Sequence, residues 1–297
     1  MMAGYPDEAA RMRRSLDDRI RDHADTTGMP HDRIRKLILF QRLAARFEAI
    51  DDDRLRLKGG VTLLWRVGER ARATKDVDAN WAGSNRELDA FLDAITLSEV
   101  GDLFTFEIGP PVRLEGETLG ALRHSVTAFL DGREFGRFRL DVNLVNKVGA
   151  GERLDVDTPI LEPFGLARVS VIAISIEQQL AEKLHATVRA YGDSNSSRIK
   201  DAYDTVVLVQ SVAVPSSSAI RAALGRTFAT RETAVPAEPP RIPADWYLEL
   251  NGLLAGFSVP GVSDVDVLVS TWEAFWRSIL DVGEGTTRWD PDSRRWR

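Results

Sequence analysis

The sequence predicts an α+β protein: a mixed or antiparallel sheet with flanking helices, followed by a mainly helical C-terminal region. Three observations lead there. Apolar residues recur at spacings of three and four over the first fifty positions, two stretches between residues 73 and 146 alternate with period two, and helical spacing returns from about Ser175. Residues 1–150 read as N-terminal helices plus an α+β core, and 151–297 as the mainly helical region.

The first two helices fall between Asp7 and about Ile50, the second carrying Ile34, Leu37, Ile38, Leu43 and Phe47 along one side. "DDDR" (51–54) is a turn and "LRLKGG" a short strand, after which Val61 to Val67 has helical spacing with a glycine pair at its entry. "ATKDVDANW" reads as a strand, so Asp76 and Asp78 share one face while Val77 and Ala79 share the other. "ALRHSVTAFLDGREFGRFRLDVNLVN" reads as a hairpin turning at Asp131-Gly132, and its second arm puts Asp141 on a polar face with Arg139 and Asn143. Antiparallel strands after a helix favour an α+β sheet with helices on one side over a doubly wound parallel one.

"SIEQQLAEKLHATVRAY" gives an apolar ladder of Ile176, Leu180, Leu184 and Val188, with Ser175 placed to cap it. "SSRIKDAYDTVVLVQ" is the next helix, reached through the polar loop "GDSNSS". The proline-rich stretch 233–246 leads to a last helical region ending near Leu280, and the tail "GEGTTRWDPDSRRWR" reads as loose.

Composition narrows the function classes. There is no cysteine, which excludes disulfides and thiolate metal sites, and the 4 histidines lack ligand spacing. No signal-peptide core or membrane-length apolar run appears, so we expect a cytoplasmic protein with no membrane partner. A net charge of −6 argues against a uniformly basic nucleic-acid surface, although basic residues cluster at 11–14, 33–36, 66–75 and 133–139. Each cluster also reads as an ordinary solvated face.

The chemistry-bearing residues are few. Two aspartates on one strand face can hold Mg²⁺, a hard cation that takes oxygen ligands, with Asp141 as a candidate third acid; they read equally as a wet strand face. Gly59 and Gly60 could bring backbone amides close to phosphate oxygens at a helix start, or could simply form a tight turn. Lys58 has a place beside that turn, or in water at a strand end. Lys183 lies towards the apolar side of its helix, where it either snorkels or serves a phosphate or an acid–base step. Asp201 and Asp204 lie together on the following helix, where Asp204 could pair with Lys183, face a site, or belong to a salt-bridged surface.

"LKGGVTLLWRVGERARATKDVDANW" (57–81) is similar to the K-G-G-(S/T)-x-L…R-x-(S/T)-x-D-x-D signature of the AbiEii-type nucleotidyltransferase toxins of bacterial toxin–antitoxin systems. "AEKLHATVRAYGDSNSSRIKDAYDTVVL" resembles that family's K-L-x-A…R-x-K-D-x-Y-D-L block, and the likeness covers Arg54 to about Gln210. The resemblance implies a nucleotidyltransferase-like core in which Asp76 and Asp78 bind Mg²⁺ and Lys183 and Asp204 complete the catalytic set. It also implies that Gly59 and Gly60 shape the phosphate turn, with Lys58 and Lys75 touching or neighbouring the nucleotide. Val61 stands where the family has a hydroxyl and Thr62 follows directly, so Thr62 becomes the hydroxyl candidate for the nucleotide.

The implied activity is transfer of a nucleoside monophosphate from an NTP to an RNA acceptor, the 3′ end of tRNA in particular, with arrest of translation and growth. A cognate antitoxin encoded by an adjacent gene is the implied partner. The residues alone also admit a non-catalytic nucleotide- or partner-binding module of the same fold, or a kinase-like phosphotransferase.

Overall fold

The computed structural model describes residues 5–114, 120–188, 196–281 and 288–297. The chain forms two compact units: residues 1–65 with 73–173, and residues 66–72 with 174–297.

In the first unit, α1 (Tyr5–Thr27) and α2 (His31–Ile50) precede β1 (Leu55–Lys58), α3 (Gly59–Val67) and β2 (Asp76–Trp81). Then follow α4 (Asn85–Leu97), β3 (Phe104–Ile108), β4 (Val112–Leu114), β5 (Ala121–Leu130), β6 (Arg133–Leu144), β7 (Gly151–Asp157) and β8 (Arg168–Ile174). The eight strands form one sheet of order β3-β5-β6-β2-β1-β8-β7, with β4 also paired to β5. Pairing is mixed. β2 is antiparallel to β1 but parallel to β6, and β1 is parallel to β8.

The hairpin falls where the sequence puts it, because Asp131 and Gly132 both take positive φ (59° and 62°), as a two-residue turn between twisted strands requires. The helix α4 and the strands β3, β4, β7 and β8 are not among the elements expected from the sequence. For α4 a start signal was present: Ser84 accepts from Glu87 N while Glu87 Oε2 accepts from Ser84 N, a reciprocal cap. β7 and β8 carry the sheet beyond residue 150.

Alternation makes the sheet two-faced. Val77, Ala79 and Trp81 of β2 and Phe138, Leu140 and Val142 of β6 are buried, and α2 and α4 cover that side through Phe40 edge-on to Phe138 and Phe91 beside Trp81 (5.3 and 5.0 Å between centroids). α2 also buries two charges that its apolar spacing does not announce. Arg46 grips both oxygens of Asp102 (2.5 and 2.8 Å) and Arg42 reaches the same carboxylate at 3.2 Å, all three side chains being buried. The second guanidinium also donates to Leu166 O, and Arg46 to Phe104 O, so α2 is tied to the segment before β8 and to the start of β3. Burial nonetheless pushes the Arg42 pKa below its ordinary value, against the pull of Asp102.

The second unit holds α5 (Ile176–Val188), α6 (Ser196–Ser211), α7 (Ser217–Thr230), α8 (Tyr247–Gly256), α9 (Val265–Leu280), β9 (Trp289–Asp290) and β10 (Arg295–Trp296). Of the expected loop "GDSNSS", residues 192–195 lie outside the described residues, as do 283–287 of the tail. No helix among the described residues is long and apolar enough to cross a membrane.

The expectation of a loose tail is wrong for 288–297. β9 and β10 pair Trp289 with Trp296, both rings pack on Phe275 (5.1 and 5.3 Å), and the Trp296 indole donates to Phe275 O at 2.9 Å. A loop-rich composition is outweighed here by aromatic burial. Trp289→Ala should lower unfolding stability by roughly 3 kcal/mol, measured by denaturant titration, whereas Trp296→Phe, which loses chiefly one hydrogen bond, should cost about 1 kcal/mol.

Candidate active site

The site residues of the first unit meet at one turn. β1 ends at Lys58 and α3 begins at once with Gly59, whose φ of +71° lies in the left-handed region that glycine adopts freely. A Cβ on Gly59 would stand 2.2 Å from Asp78 Oδ2, so the turn backbone lies directly against that carboxylate. Gly60 is packed by Thr74, whose Oγ1 would lie 2.8 Å from an added Cβ. Both glycines are therefore set by close approach, the first by conformation as well. Amides at the start of α3 form the kind of helix N-terminus that favours anions.

β2 places Asp76, Asp78 and Asn80 on the face away from the core. In register across the sheet, Lys58 of β1 stands opposite Asp78, Asp78 opposite Asp141 of β6, and Asp141 opposite Arg123 of β5. One step along, Asp76 is opposite the exposed Arg139. Thus Asp141 is where the alternation puts it, but both its oxygens accept from Arg123, Nε to Oδ1 at 2.8 Å and Nη2 to Oδ2 at 2.6 Å. That hydrogen bond chiefly, and then the charges of Asp141, Asp76 and Asp78, hold the Arg123 pKa above its ordinary value.

Thr62 and Val61 are both fully buried. The Thr62 hydroxyl donates to Gly59 O at 3.0 Å, so this side chain acts on the turn from beneath and presents no surface of its own to a ligand. Lys75 is exposed, one residue before β2.

The second unit contains the other family residues. Lys183 does not snorkel: it is 5% exposed, and its ammonium donates to Asp204 Oδ2 at 2.7 Å and Asp201 Oδ1 at 3.1 Å. Arg72, from the segment this unit shares, clamps Asp204 side-on with Nε and Nη2 both at 2.9 Å. Arg72 was missed by sequence reasoning, although it is the arginine of the R-x-(S/T)-x-D-x-D signature. Arg66 lies nearby in the chain and donates to Gln179 and to Ile174 O.

The electrostatics of this cluster divide its carboxylates. Burial works against the Lys183 ammonium, but Asp204 and then Asp201 outweigh it and raise its pKa. Burial likewise opposes the Asp204 carboxylate, yet Lys183 and Arg72 together hold its pKa below the ordinary value. Asp201 ends with a raised pKa, because burial and the like charge of Asp204 outweigh the pull of Lys183 and Arg72. Lys183 at neutral pH is thus a positive charge and not a base.

Among the described residues, no group of three or more acids or histidines is placed to hold a metal ion. The donors present are the two carboxylates of β2. That set fits Mg²⁺, which binds through one or two carboxylates and completes its shell with water and substrate phosphate.

A family model described as the nucleotidyl transferase AbiEii toxin of a type IV toxin–antitoxin system matches residues 41–269. Among solved structures, the chain is similar to MenT4, a nucleotidyltransferase toxin of Mycobacterium tuberculosis, at TM-score 0.55 and 19% identity over 90% of this chain and 89% of that one. JHP933 from Helicobacter pylori also matches, at TM-score 0.44 and 14% identity over 82% and 89% of the two chains. A search of curated proteins finds no match.

Two outcomes are expected for the buried cluster. Asp204→Asn should cost about 3 kcal/mol, because it takes the carboxylate from Arg72 and leaves Lys183 with Asp201 alone, whereas Asp201→Asn should cost much less, because Lys183 keeps its shorter bond to Asp204. A lowered folded-state pKa makes the Asp204 contribution present above the ordinary carboxylate pKa and lost as pH falls through the folded value. The raised Lys183 pKa makes its contribution present below the ordinary lysine value of 10.5 and lost as pH rises through the folded one. Denaturant midpoints for wild type and Asp204→Asn should therefore converge below about pH 4 and differ most between there and pH 10.

Proposed function

The chain belongs to the AbiEii nucleotidyltransferase toxin family, and on that premise we propose that it transfers a nucleoside monophosphate from an NTP to an RNA acceptor, the 3′ end of tRNA, and so arrests translation and growth. The observation that carries the reading is the contact of the glycine turn with the D-x-D strand, where the Gly59 backbone leaves no room for a methyl beside Asp78. A triphosphate cradled by the amides of Gly59 and Gly60 would lie next to the carboxylates that need its oxygens.

Asp76 and Asp78 would hold Mg²⁺, which when bound offsets triphosphate charge and polarises the phosphate under attack. Lys58, at the end of β1, and exposed Lys75, just before β2, add positive charge beside the turn. The acceptor hydroxyl attacks the α-phosphorus and gives its proton to solvent, the bond to the bridging oxygen breaks, and pyrophosphate leaves in line, so positioning and charge offset supply most of the rate. Thr62 holds the turn through Gly59 O. Lys183 and Asp204 are assigned to the catalytic set on the family pattern, Lys183 as a fixed positive charge and Asp204, with Arg72, as what fixes it.

Basic residues of the open sheet face, Arg137 and Arg139, suit contact with RNA phosphates despite the acidic total. The antitoxin partner and action in the cytoplasm follow from the family reading. We expect the neighbouring gene to encode an antitoxin whose co-expression restores growth.

Incubation with labelled NTP, Mg²⁺ and total tRNA should label the RNA and release pyrophosphate. Asp76→Ala should reduce transfer by roughly a hundredfold or more without lowering the melting temperature. Nucleoside diphosphate in place of pyrophosphate would mean a kinase-like reaction, and binding without turnover would mean a non-catalytic module. Gly59→Ala should lose activity to a similar degree, because the new methyl would collide with Asp78 and strain a left-handed backbone.

A further inference from the structure

The third acid of the polar sheet face has a partner that changes its role. Asp141 is directly opposite Asp78 on a parallel neighbour, and adjacent strands lie about 4.8 Å apart. Reach therefore does not keep Asp141 from an ion held by Asp78. Its chemistry does, for both oxygens are taken by one guanidinium in a side-on clamp of 2.6 and 2.8 Å. The Asp141 side chain is 13% exposed and that of Arg123 34%, so the acid is the more sheltered partner. A metal ion on the same carboxylate would place a divalent charge beside an arginine, an arrangement that Coulomb repulsion disfavours.

Register explains why the clamp is stable. Arg123 and Asp141 are a directly opposed cross-strand pair on β5 and β6, so neither side chain has to bend along its strand to meet the other. The clamp spends only Nε and Nη2 of Arg123. The row Lys58, Asp78, Asp141, Arg123 thus carries a basic residue at each end and its acids in the middle.

We propose that Arg123 withholds Asp141 from the metal shell, so that the metal is held by Asp76 and Asp78 alone until a nucleotide brings its own phosphate oxygens. This rests on the reading of Asp76 and Asp78 as the metal carboxylates. Arg123 is a positioning residue here, acting through Asp141. Without nucleotide, divalent metal binds weakly, and metal and NTP enter as a unit.

Mn²⁺ titration of the nucleotide-free full chain, followed by electron paramagnetic resonance, tests this independently of turnover. In the wild-type background Asp141→Asn should leave the Mn²⁺ affinity unchanged within about twofold, while Asp78→Asn weakens it on the order of tenfold. Arg123→Gln should release Asp141 and tighten Mn²⁺ by about tenfold, the double variant Arg123→Gln with Asp141→Asn should return to the wild-type value, and Arg123→Lys should fall between. Should Arg123→Gln fail to fold, the Asp141→Asn titration and the double variant, which leaves no unpaired charge, decide the matter. Equal weakening by Asp141→Asn and Asp78→Asn would overturn the inference and make Asp141 a ligand. No response to Asp76→Asn or Asp78→Asn would instead overturn the underlying metal assignment.

Discussion

A slip of one residue in the pairing of β2 would turn Asp76 and Asp78 into the core and put Val77 and Ala79 in water. The row of charges on the polar face of the sheet depends on that register. β2 is fixed on one side by antiparallel β1 and on the other by parallel β6, and Trp81, fully buried and packed on Phe91, anchors its end. With the register fixed, Lys58, Asp78, Asp141 and Arg123 fall in one row, and the glycine turn that follows β1 closes onto Asp78.

Arginine is used repeatedly to grip sheltered aspartates. Arg46 with Arg42 holds Asp102, Arg123 holds Asp141, and Arg72 with Lys183 holds Asp204. A planar guanidinium meets a carboxylate with two parallel N–H donors, which suits a site where water cannot complete the shell. Each pair is costly to break from one side only, since the surviving charge is left without a partner. The two kinds of carboxylate thus have different work. Those gripped by arginine shape their surroundings, and the D-x-D pair beside the glycine turn is the one whose donor set suits a metal brought by a nucleotide.

Much of this was readable from residue order. The D-x-D strand, the glycine entry to α3, the hairpin at Asp131-Gly132 and the ladder of α5 follow from periodicities of two and three to four, because side-chain direction along one element is a local property. The tail failed as a reading for the opposite reason. Trp289 and Trp296 sit in a polar, turn-rich context, and only the presence of Phe275 beneath them makes a hairpin there worth its entropy.

The sequence by itself determined which acids share a strand face, which glycines open a helix and, through two matched blocks, to which family the chain belongs. Only the tertiary structure decided what each charge meets. Arg72 and Asp204 are 132 positions apart, and Arg123 and Asp141 are joined by strand register, and no local pattern encodes such partners. Lys183 shows the difference within one residue: its helix face was evident from spacing, but burial against two carboxylates, in place of a stem leading to water, was settled by α6 packing on α5. The physical reason is that periodicity reports a side chain's direction, whereas its charge state depends on the groups and the dielectric that the fold assembles around it.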